Sequence, residues 1–366
     1  MSLRCVLLLV PFALLIPLAS LAGITWQTQT ADSYGDTGYK PSLAIDSQGI
    51  PHVLYIDRTQ SRFIHARKTG PNHWISESGP SADERMEPGL IILPGDVPAF
   101  TSGGLFYVKT DQGWQLEDMR TYGFWCSAVA LAPDGAVEGI AQGSWGSGSY
   151  IGWVDGSVRR NGVWGGETSL ATAVFYPSGP SESIVVDANG NPHVSFTSNG
   201  GEPLQYGFRQ YGAWSLVDLP AGLWSSIALD SQGSPRISFS DFPNQDLVMA
   251  TRTQGNWITT YLDVPDETCS YTSQVILNDV SYVTYYEPTR GDLRVSTFAP
   301  NKFLPPADID VEGDVGAWPS LAVDANGRLH VAYYDVTNGD LKYAIGEYTL
   351  PTRSATLGQI KSMYRR

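Results

Sequence analysis

Residues 319–345 read PSLAVDANGRLHVAYYDVTNGDLKYAI, and the same pattern recurs three more times along the chain. The other clean copies are PSLAIDSQGIPHVLYID at 41–57, SIVVDANGNPHVSF at 183–196 and SIALDSQGSPRISF at 226–239. Each copy reads as a short apolar strand, a D-x-x-G turn, a second strand and, in most copies, a third strand. Self-similarity at a fixed period is typical of repeat architectures, so the repeat decides the architecture before any chemistry is considered.

A tryptophan that follows a Gly- or Asn-containing turn marks the outer strand of most repeats. The marker positions are Trp74, Trp114, Trp164, Trp214 and Trp257, with Phe303 in the same position of the next repeat. Their spacing of 40 to 50 residues suits a four-stranded sheet and matches the period of β-propellers. The last repeat lacks such a strand, whereas Trp26 lies 48 residues before Trp74. We therefore expect residues 24–30 to complete the last blade and close the ring.

The sequence thus predicts an all-β fold, a seven-bladed β-propeller of four-stranded antiparallel blades whose ring is closed by the N-terminal strand. The low content of charged residues, 16%, with 38 Gly and 24 Pro fits many short strands joined by tight turns. The propeller is predicted to span 23–350, with a C-terminal tail at 351–366 and the longest internal connector at 168–181. The blades are expected at 41–77, 87–118, 127–167, 182–219, 225–263, 273–304 and 319–347, the last completed by 24–30.

Residues 1–22 have the features of a signal peptide. Arg4 supplies the positive end, an apolar run follows at 6–18, and small residues at 20–22 provide the cleavage site. The apolar run is too short to span a bilayer, which takes about 20 apolar residues. We expect the mature chain to be an exported, soluble monomer, located outside the cell, at the cell surface or in the periplasm.

The charge balance limits the partners of the chain. Removing residues 1–22, whose only charged residue is Arg4, changes the formal net charge from −14 to −15. Phosphate backbones require clustered Lys and Arg, so the acidity argues against nucleic acid as a partner and disfavours anionic membranes. Only Cys126 and Cys269 remain in the mature chain, which allows one disulfide without requiring it.

The repeated phrase D-[SA]-[NQ]-G-x-P-H-[VI]-x-[YF] resembles the repeats of secreted bacterial and archaeal seven-bladed β-propeller proteins. The resemblance covers nearly all of 24–347 and implies the fold rather than an activity. The S-x-D-x-G-x-T-W box of the neighbouring sialidases is absent, while GGLFYVKTDQGW at 103–114 resembles a kelch blade. Some fucose-binding lectins share a Trp-rich propeller architecture, which favours sugar binding by analogy.

Several polar features are interpreted as scaffold. His52, His193 and His330 share one position of the repeat, and each is expected to contact the Asp of its own D-x-x-G turn. The acidic segment 308–314 is interpreted as a solvated linker, with a calcium site as the alternative, and Arg290-Gly291-Asp292 as a hairpin turn.

Catalytic patterns are scarce. The chain contains no G-x-S-x-G, H-E-x-x-H, P-loop or C-x-x-C motif, and the sequence predicts no catalytic residue, metal site or cofactor. Two carboxylates can still meet at the centre of a ring without a local motif, as the acids of glycosidases do. A glycoside hydrolase or polysaccharide lyase, and a purely structural scaffold, therefore stay open as alternatives.

The candidate ligand site consists of aromatic residues in the linkers and carboxylates at the ends of second strands, which share one face of a propeller. Aromatic platforms beside carboxylates suit sugars, whose CH faces stack and whose hydroxyl groups need acceptors. The competing interpretation is that the rings wedge between blades, since large aromatics more often pack than bind ligands. The sequence favours a non-catalytic module that binds a glycan or an extracellular protein. The site residues are Tyr39, Trp125, Tyr176, Trp224, Tyr271, Trp318, Asp57, Asp241, Glu287 and Asp335.

Overall fold

The computed structural model describes residues 23–119, 126–145, 150–175, 181–197, 203–262, 267–299 and 301–348. The predicted signal peptide at 1–22 and the tail at 351–366 lie outside these residues. Every regular element in the described part is a β-strand, and no helix there is long and apolar enough to cross a membrane. The all-β prediction is confirmed.

The first half of the chain forms three four-stranded antiparallel sheets, each built from consecutive strands. The first sheet contains β2 (Tyr39–Ile45), β3 (Pro51–Asp57), β4 (Arg62–Gly70) and β5 (His73–Ser81). The second contains β6 (Gly89–Leu93), β7 (Val97–Ser102), β8 (Leu105–Thr110) and β9 (Gly113–Asp118). The third contains β10 (Cys126–Leu131), β11 (Val137–Trp145), β12 (Tyr150–Arg160) and β13 (Val163–Phe175).

The middle of the chain forms a seven-stranded sheet, because one long strand serves two repeats. Its order is β14 (Ser181–Val186), β15 (Pro192–Thr197), β16 (Pro203–Gln210), β17 (Ala213–Leu229), β18 (Pro235–Asp241), β19 (Leu247–Thr253) and β20 (Asn256–Tyr261). The first half of β17 pairs with β16 and its second half pairs with β18. The linker between two repeats is therefore continuous strand at this point.

Two further four-stranded sheets complete the described part. One contains β21 (Ser270–Leu277), β22 (Val280–Glu287), β23 (Asp292–Phe298) and β24 (Ala307–Asp310). The other contains β25 (Val315–Val323), β26 (Leu329–Asp335), β27 (Asp340–Tyr348) and β1 (Ile24–Asp32). As predicted from Trp26, β1 pairs antiparallel with β27, with Trp26 opposite Gly346.

The fold is a β-propeller. The first strands of successive sheets contact one another in the order β2, β6, β10, β14, β17, β21 and β25, and β25 contacts β2. Serine side chains connect neighbouring first strands, since the backbone N–H of Leu321 donates to Ser273 Oγ at 3.0 Å and that of Leu43 donates to Ser320 Oγ at 2.9 Å. The same bond recurs between Leu90 and Ser42, Ile227 and Ser183, and Gln274 and Ser226.

Two strand boundaries differ from the prediction. Phe303 forms only an isolated bridge with Phe298, and the fourth strand of its sheet is β24, a few residues further on. The connector predicted at 168–181 is in large part strand, because β13 continues to Phe175.

The outer tryptophans pack between sheets. The Trp74 ring lies 5.1 Å from the Tyr343 ring of the preceding sheet, and the Trp257 ring lies 4.9 Å from the Tyr206 ring. Trp164 makes the equivalent contact with Phe106, at 5.1 Å. These edge-on contacts bury aromatic surface between blades, which explains why the position is aromatic in most repeats.

The D-x-x-G turns have the predicted form. Asp324 Oδ1 accepts hydrogen bonds from the backbone N–H groups of Asn326 and Arg328, both at 2.9 Å, and Gly327 has a φ of 80°. Asp46, Asp187 and Asp230 make the same pair of bonds in their own turns. These aspartates are turn formers, as their spacing indicated.

Candidate functional site

The linkers before the first strands and the hairpin loops between second and third strands lie together on one face, here called the linker face. The backbone N–H of Thr37, in the linker before β2, donates to the Gly339 carbonyl in a hairpin loop, at 2.8 Å. The equivalent bond joins Val315 to Gly291 at 2.9 Å. These two linkers are thus fixed against the hairpin loops of the preceding sheets.

Four predicted site residues come together on this face and form an aromatic arc that comprises Trp224, Tyr271, Trp318 and Tyr39. The ring centroids are 4.8 Å apart for Trp224 and Tyr271, 4.8 Å for Tyr271 and Trp318, and 4.5 Å for Trp318 and Tyr39. The four residues belong to consecutive sheets, and each ring is only half-buried. The arc therefore combines contact between blades with aromatic surface that a ligand can reach.

The backbone of the arc is strained. Trp224, Tyr271 and Trp318 have φ values of 52°, 55° and 51°, each at an irregularity of the strand pairing. A bulky residue with positive φ is an uncommon outlier, and such a conformation costs about 1–3 kcal/mol. Lys40, at the same position of its repeat, has a φ of 49°, so the bulge belongs to the repeat while the aromatic side chains are specific to three copies. Strain of this kind is concentrated at functional sites.

A pocket of about 600 Å³ opens at one end of the arc. Trp318 and Tyr39 form one wall, and Asp36, Arg58 and Tyr334 are among the other lining residues. The Arg58 guanidinium stacks over the Tyr39 ring at 4.9 Å and pairs with Asp36 at 3.2 Å and with Glu84. A second pocket of about 760 Å³ shares Asp36 and Arg58, so the two form adjoining parts of one surface depression.

Burial governs the ionisation of the tyrosines in this region. It raises the pKa of Tyr39, and it raises the pKa of Tyr271 and of Tyr334 to about 12. All three phenols therefore keep their protons at neutral pH, and Tyr334 donates its proton to Asp36 at 2.7 Å.

The four predicted carboxylates lie close by but serve their hairpin loops. Asp335 accepts hydrogen bonds from Asn338 at 3.0 and 2.9 Å, and Asp57 binds the backbone N–H of Gln60 at 2.8 Å. Asp241 and Glu287 make equivalent contacts with the loops that follow them. All four are buried, and among the described residues that line the 600 Å³ pocket none of them appears.

Glu287 is held in its ionised form. Burial acts to raise its pKa, but hydrogen bonds from Thr289, Arg290 and Thr268 more than offset this effect, so that its pKa lies below the ordinary value. A general acid needs the opposite shift, towards a pKa near the working pH. The environment of Glu287 is that of a turn-capping carboxylate.

Two predicted site residues, Trp125 and Tyr176, lie outside the described residues. The sequence interpretation also missed Asp36, Arg58 and Tyr334. A signal for the first existed, because the linker phrase G-D-x-G occurs at 35–38 and again at 313–316. No local signal marks Arg58 or Tyr334, since they come from hairpin regions of different repeats.

The acidic side chains of segment 308–314 bind other side chains of the same chain. Asp310 pairs with Lys342 at 2.6 Å, Asp308 pairs with Arg294 at 3.0 Å, and Asp314 accepts a hydrogen bond from Tyr286 at 2.8 Å. In the described part of the chain no group of three or more His, Cys, Asp or Glu residues is arranged to hold a metal ion.

Two further sequence interpretations can be compared with the structure. Arg290-Gly291-Asp292 forms the hairpin turn between β22 and β23, as predicted, with a φ of 75° at Gly291. Cys269 is a free thiol with 1% exposure, and burial raises its pKa.

No protein-family model matches the chain, and no curated protein matches it. The chain is similar in structure to BBS1N, crystallised in complex with ARL6DN (TM-score 0.58, 10% identity, 92% of this chain and 98% of that one). It is also similar to the polysaccharide lyase Uly1 (TM-score 0.55, 11% identity, 87% and 90%). A third neighbour is the β-propeller domain of Cps50 (Swd1) from Myceliophteria thermophila (TM-score 0.54, 9% identity, 88% and 100%). At these identities the likeness establishes the propeller fold alone.

Proposed function

We propose that the chain is an exported, seven-bladed propeller that binds carbohydrate on its linker face without breaking bonds. The observation that carries this proposal is the aromatic arc. Three of its four residues, Trp224, Tyr271 and Trp318, have a strained backbone conformation, and all four remain partly exposed, which pure packing between blades does not require. Sugar rings present CH faces that stack on such surfaces, and Asp36 beside the arc supplies a partly exposed acceptor for hydroxyl groups.

A hydrolase or lyase mechanism has less support. The four carboxylates of the predicted ligand site cap hairpin turns, and hydrogen bonds hold the pKa of Glu287 below its ordinary value. The polysaccharide lyase among the structural neighbours shares the fold at 11% identity, which carries no residue-level inference. Binding without turnover is therefore the function that the geometry of the site supports best.

The test is glycan binding by the wild type and by arc variants. Glycans that bind on an array are titrated by calorimetry against Trp318→Asn and Tyr271→Asn, because Asn tolerates positive φ. Loss of one stacking platform is expected to weaken binding about tenfold or more, at about 1–3 kcal/mol per aromatic residue. Tyr211→Asn is the matched control, since Tyr211 has a φ of 52° and is 97% exposed in an outer hairpin turn.

Stability separates a ligand role from a packing role. If the arc serves the ligand, Trp318→Asn relieves backbone strain and leaves the melting temperature close to that of the wild type. A pure wedge between blades would instead lose about 3 kcal/mol or more on truncation. The proposal fails if no glycan binds the wild type, or if the arc variants bind as tightly as Tyr211→Asn does.

A further inference from the structure

The linker face contains two copies of one local structure, built around Asp36 and around Asp314. In the first copy the backbone N–H of Asp36 donates to Thr59 Oγ1 at 2.8 Å, and in the second that of Asp314 donates to Thr337 Oγ1 at 2.7 Å. Both aspartates follow the glycine of a G-D-x-G phrase. The two carboxylates are thus presented by the same backbone frame.

The aromatic surroundings of the two aspartates also correspond. Tyr334 donates its hydroxyl hydrogen to Asp36 Oδ1 at 2.7 Å, and Tyr286 donates to Asp314 Oδ1 at 2.8 Å. The Tyr334 ring lies 6.1 Å from the Trp318 ring of the arc. In the second copy, the Tyr286 ring lies 6.4 Å from the Tyr271 ring. Each copy therefore combines one carboxylate, one tyrosine hydroxyl and one ring of the arc.

The first copy holds a cation that belongs to the chain. The Arg58 guanidinium pairs with Asp36 Oδ2 at 3.2 Å and stacks on Tyr39 at 4.9 Å. An ion pair and a stacked aromatic face are the two interactions that a buried or half-buried cation needs. This copy shows which chemical group the frame is able to accommodate.

The second copy lacks that cation. Val336 takes the position of Arg58, because the Val336 N–H donates to the Asp314 carbonyl at 2.9 Å as the Arg58 N–H donates to the Asp36 carbonyl at 2.8 Å. Ala317 takes the position of Tyr39. Within the described ranges Asp314 forms no ion pair, and its side chain accepts one hydrogen bond, on Oδ1. Val and Ala have shorter side chains than Arg and Tyr and carry no charge, so position 336 supplies no guanidinium for Asp314.

We propose that the second copy binds a cation of the ligand, the protonated amine of an amino sugar. The inference rests on the proposed carbohydrate function and names the class of glycan. The amine pairs with the second oxygen of Asp314, while the sugar ring stacks on the partly exposed rings of Tyr271 and Trp318, the first of which lies 6.4 Å from the Tyr286 ring that binds Asp314. A chain with a formal net charge of −14 also attracts cationic ligands over neutral ones.

The experiment compares two oligosaccharides that differ only in the amine. Glucosamine tetramer and its fully N-acetylated counterpart are titrated by calorimetry in mildly acidic buffer, in which the free amines are protonated. Binding of the glucosamine tetramer is expected to be at least about tenfold tighter, and the difference should shrink as salt is raised.

Two variants locate the effect. Asp314→Asn removes the charge and should abolish the preference for the free amine. Asp36→Asn removes a hydroxyl acceptor whose carboxylate already holds Arg58, so it should weaken both tetramers alike and keep the preference. Because Asp314 also binds Tyr286, a second variant keeps the carboxylate. Val336→Arg places in the second copy the arginine that the first copy has. The new guanidinium should pair with the Asp314 carboxylate and thereby also abolish the preference for the free amine.

The outcomes distinguish the inference from the function on which it rests. Equal binding of the two tetramers, or a preference that survives both Asp314→Asn and Val336→Arg, overturns the amino-sugar assignment and leaves carbohydrate binding in place. The same assignment is overturned if an arginine-containing peptide binds at Asp314 and the glucosamine tetramer does not. If the wild type binds no glycan of any kind, the proposed function itself fails.

Discussion

Three histidines occupy the same position on the second strands of their repeats, and the structure confirms the predicted contacts. His52, His193 and His330 lie 3.4, 3.8 and 3.3 Å from the aspartates of their own D-x-x-G turns. The other ring nitrogen contacts a third-strand side chain, which is His65 for His52 and a tyrosine for the other two. Burial lowers the pKa of all three, and that of His52 falls from 6.5 to about 4.

These histidines predict a loss of stability in acid. The unfolded chain takes up a proton on His52 below about pH 6.5, while the folded chain resists it until about pH 4, so the free energy of unfolding falls across this window. Above pH 6.5 the group contributes no pH dependence. The full shift corresponds to roughly 3–4 kcal/mol. Denaturant unfolding at a series of pH values measures the slope.

His52→Gln removes the titrating group and is expected to flatten this slope by up to one proton. His73→Gln is the control, because His73 is exposed at the start of strand β5 in the same sheet. Asp46, His65 and Arg67 all face His52. These three groups are the same in both variants, so the slopes of the two variants can be compared directly. An unchanged slope in His52→Gln would show that the histidine is not the acid-sensitive group.

At the scale of elements, glycines allow the linkers to pass close to the backbone of a neighbouring sheet. Gly316, with a φ of 99°, lies against the backbone of Leu293, where an added Cβ would come within 2.7 Å of Leu293 Cα. Gly38 is in the same situation against Leu341. The G-D-x-G phrase is thus required by close contact between linker and preceding sheet, and this contact presents Asp36 and Asp314 on the linker face.

Gly316→Ala tests this close approach. The new Cβ meets backbone atoms that cannot move away, so the free energy of unfolding is expected to fall by about 3 kcal/mol or more. Gly49→Ala serves as the matched control, since Gly49 also has positive φ, at 78°, but a Cβ added there would meet no neighbouring atom within 4 Å. The control should lose only about 1–2 kcal/mol for the left-handed backbone. Thermal and denaturant unfolding of both variants make the comparison, and equal losses would contradict a role for the contact.

At the scale of the molecule, β1 joins the beginning of the chain to the last sheet. Ile24 and Trp26 pack against a core cluster that includes Leu329 and Val331, and residues 24–30 pair with β27. The sheet that results has its strands in the order β1, β27, β26, β25. Two distant parts of the sequence therefore share one hydrophobic core.

Deletion of residues 24–30 is expected to open the molecule at this sheet. The edge of β27 would lose its partner, and apolar surface of the cluster would meet water, so a large fall in melting temperature and association through the free edge should follow. Calorimetry and light scattering measure the two effects. A peptide of residues 23–32 added in trans should restore stability, and the same peptide with Trp26→Ala should do so less well. An unaltered melting temperature in the deletion variant would rule out this role for β1.

The strands and turns were predictable because their signals are local. The D-x-x-G turns and the Arg290-Gly291-Asp292 hairpin each depend on neighbours within a few residues, and the contact between Asp324 and His330 follows from one repeat. The predicted strand boundaries were wrong where the local sequence signal was weak. Position 303 carries a phenylalanine in place of the marker tryptophan, and strand β13 continues past the predicted end of its blade.

The candidate site was predictable only in part, since its members come from different repeats. The linker position suggested Tyr39, Trp224, Tyr271 and Trp318, but no pattern indicated that Tyr334 would bind Asp36 across 298 positions of sequence. The sequence also did not reveal the role of the second-strand carboxylates. Asp57 and Asp335 precede tight hairpins, and only the folded loops show that backbone N–H groups take up their oxygens.

The sequence by itself determined the repeat, the all-β fold and the pairing of Trp26 with the last sheet, because periodicity, turn residues and one absent strand are properties of the chain. Only the tertiary structure decided which residues meet on the linker face. Positive φ at the bulges turns the aromatic side chains of three repeats into contact, and neighbouring sheets bring Arg58 to Asp36 and leave Val336 beside Asp314. These contacts depend on how successive sheets are placed relative to one another, which no stretch of sequence encodes alone.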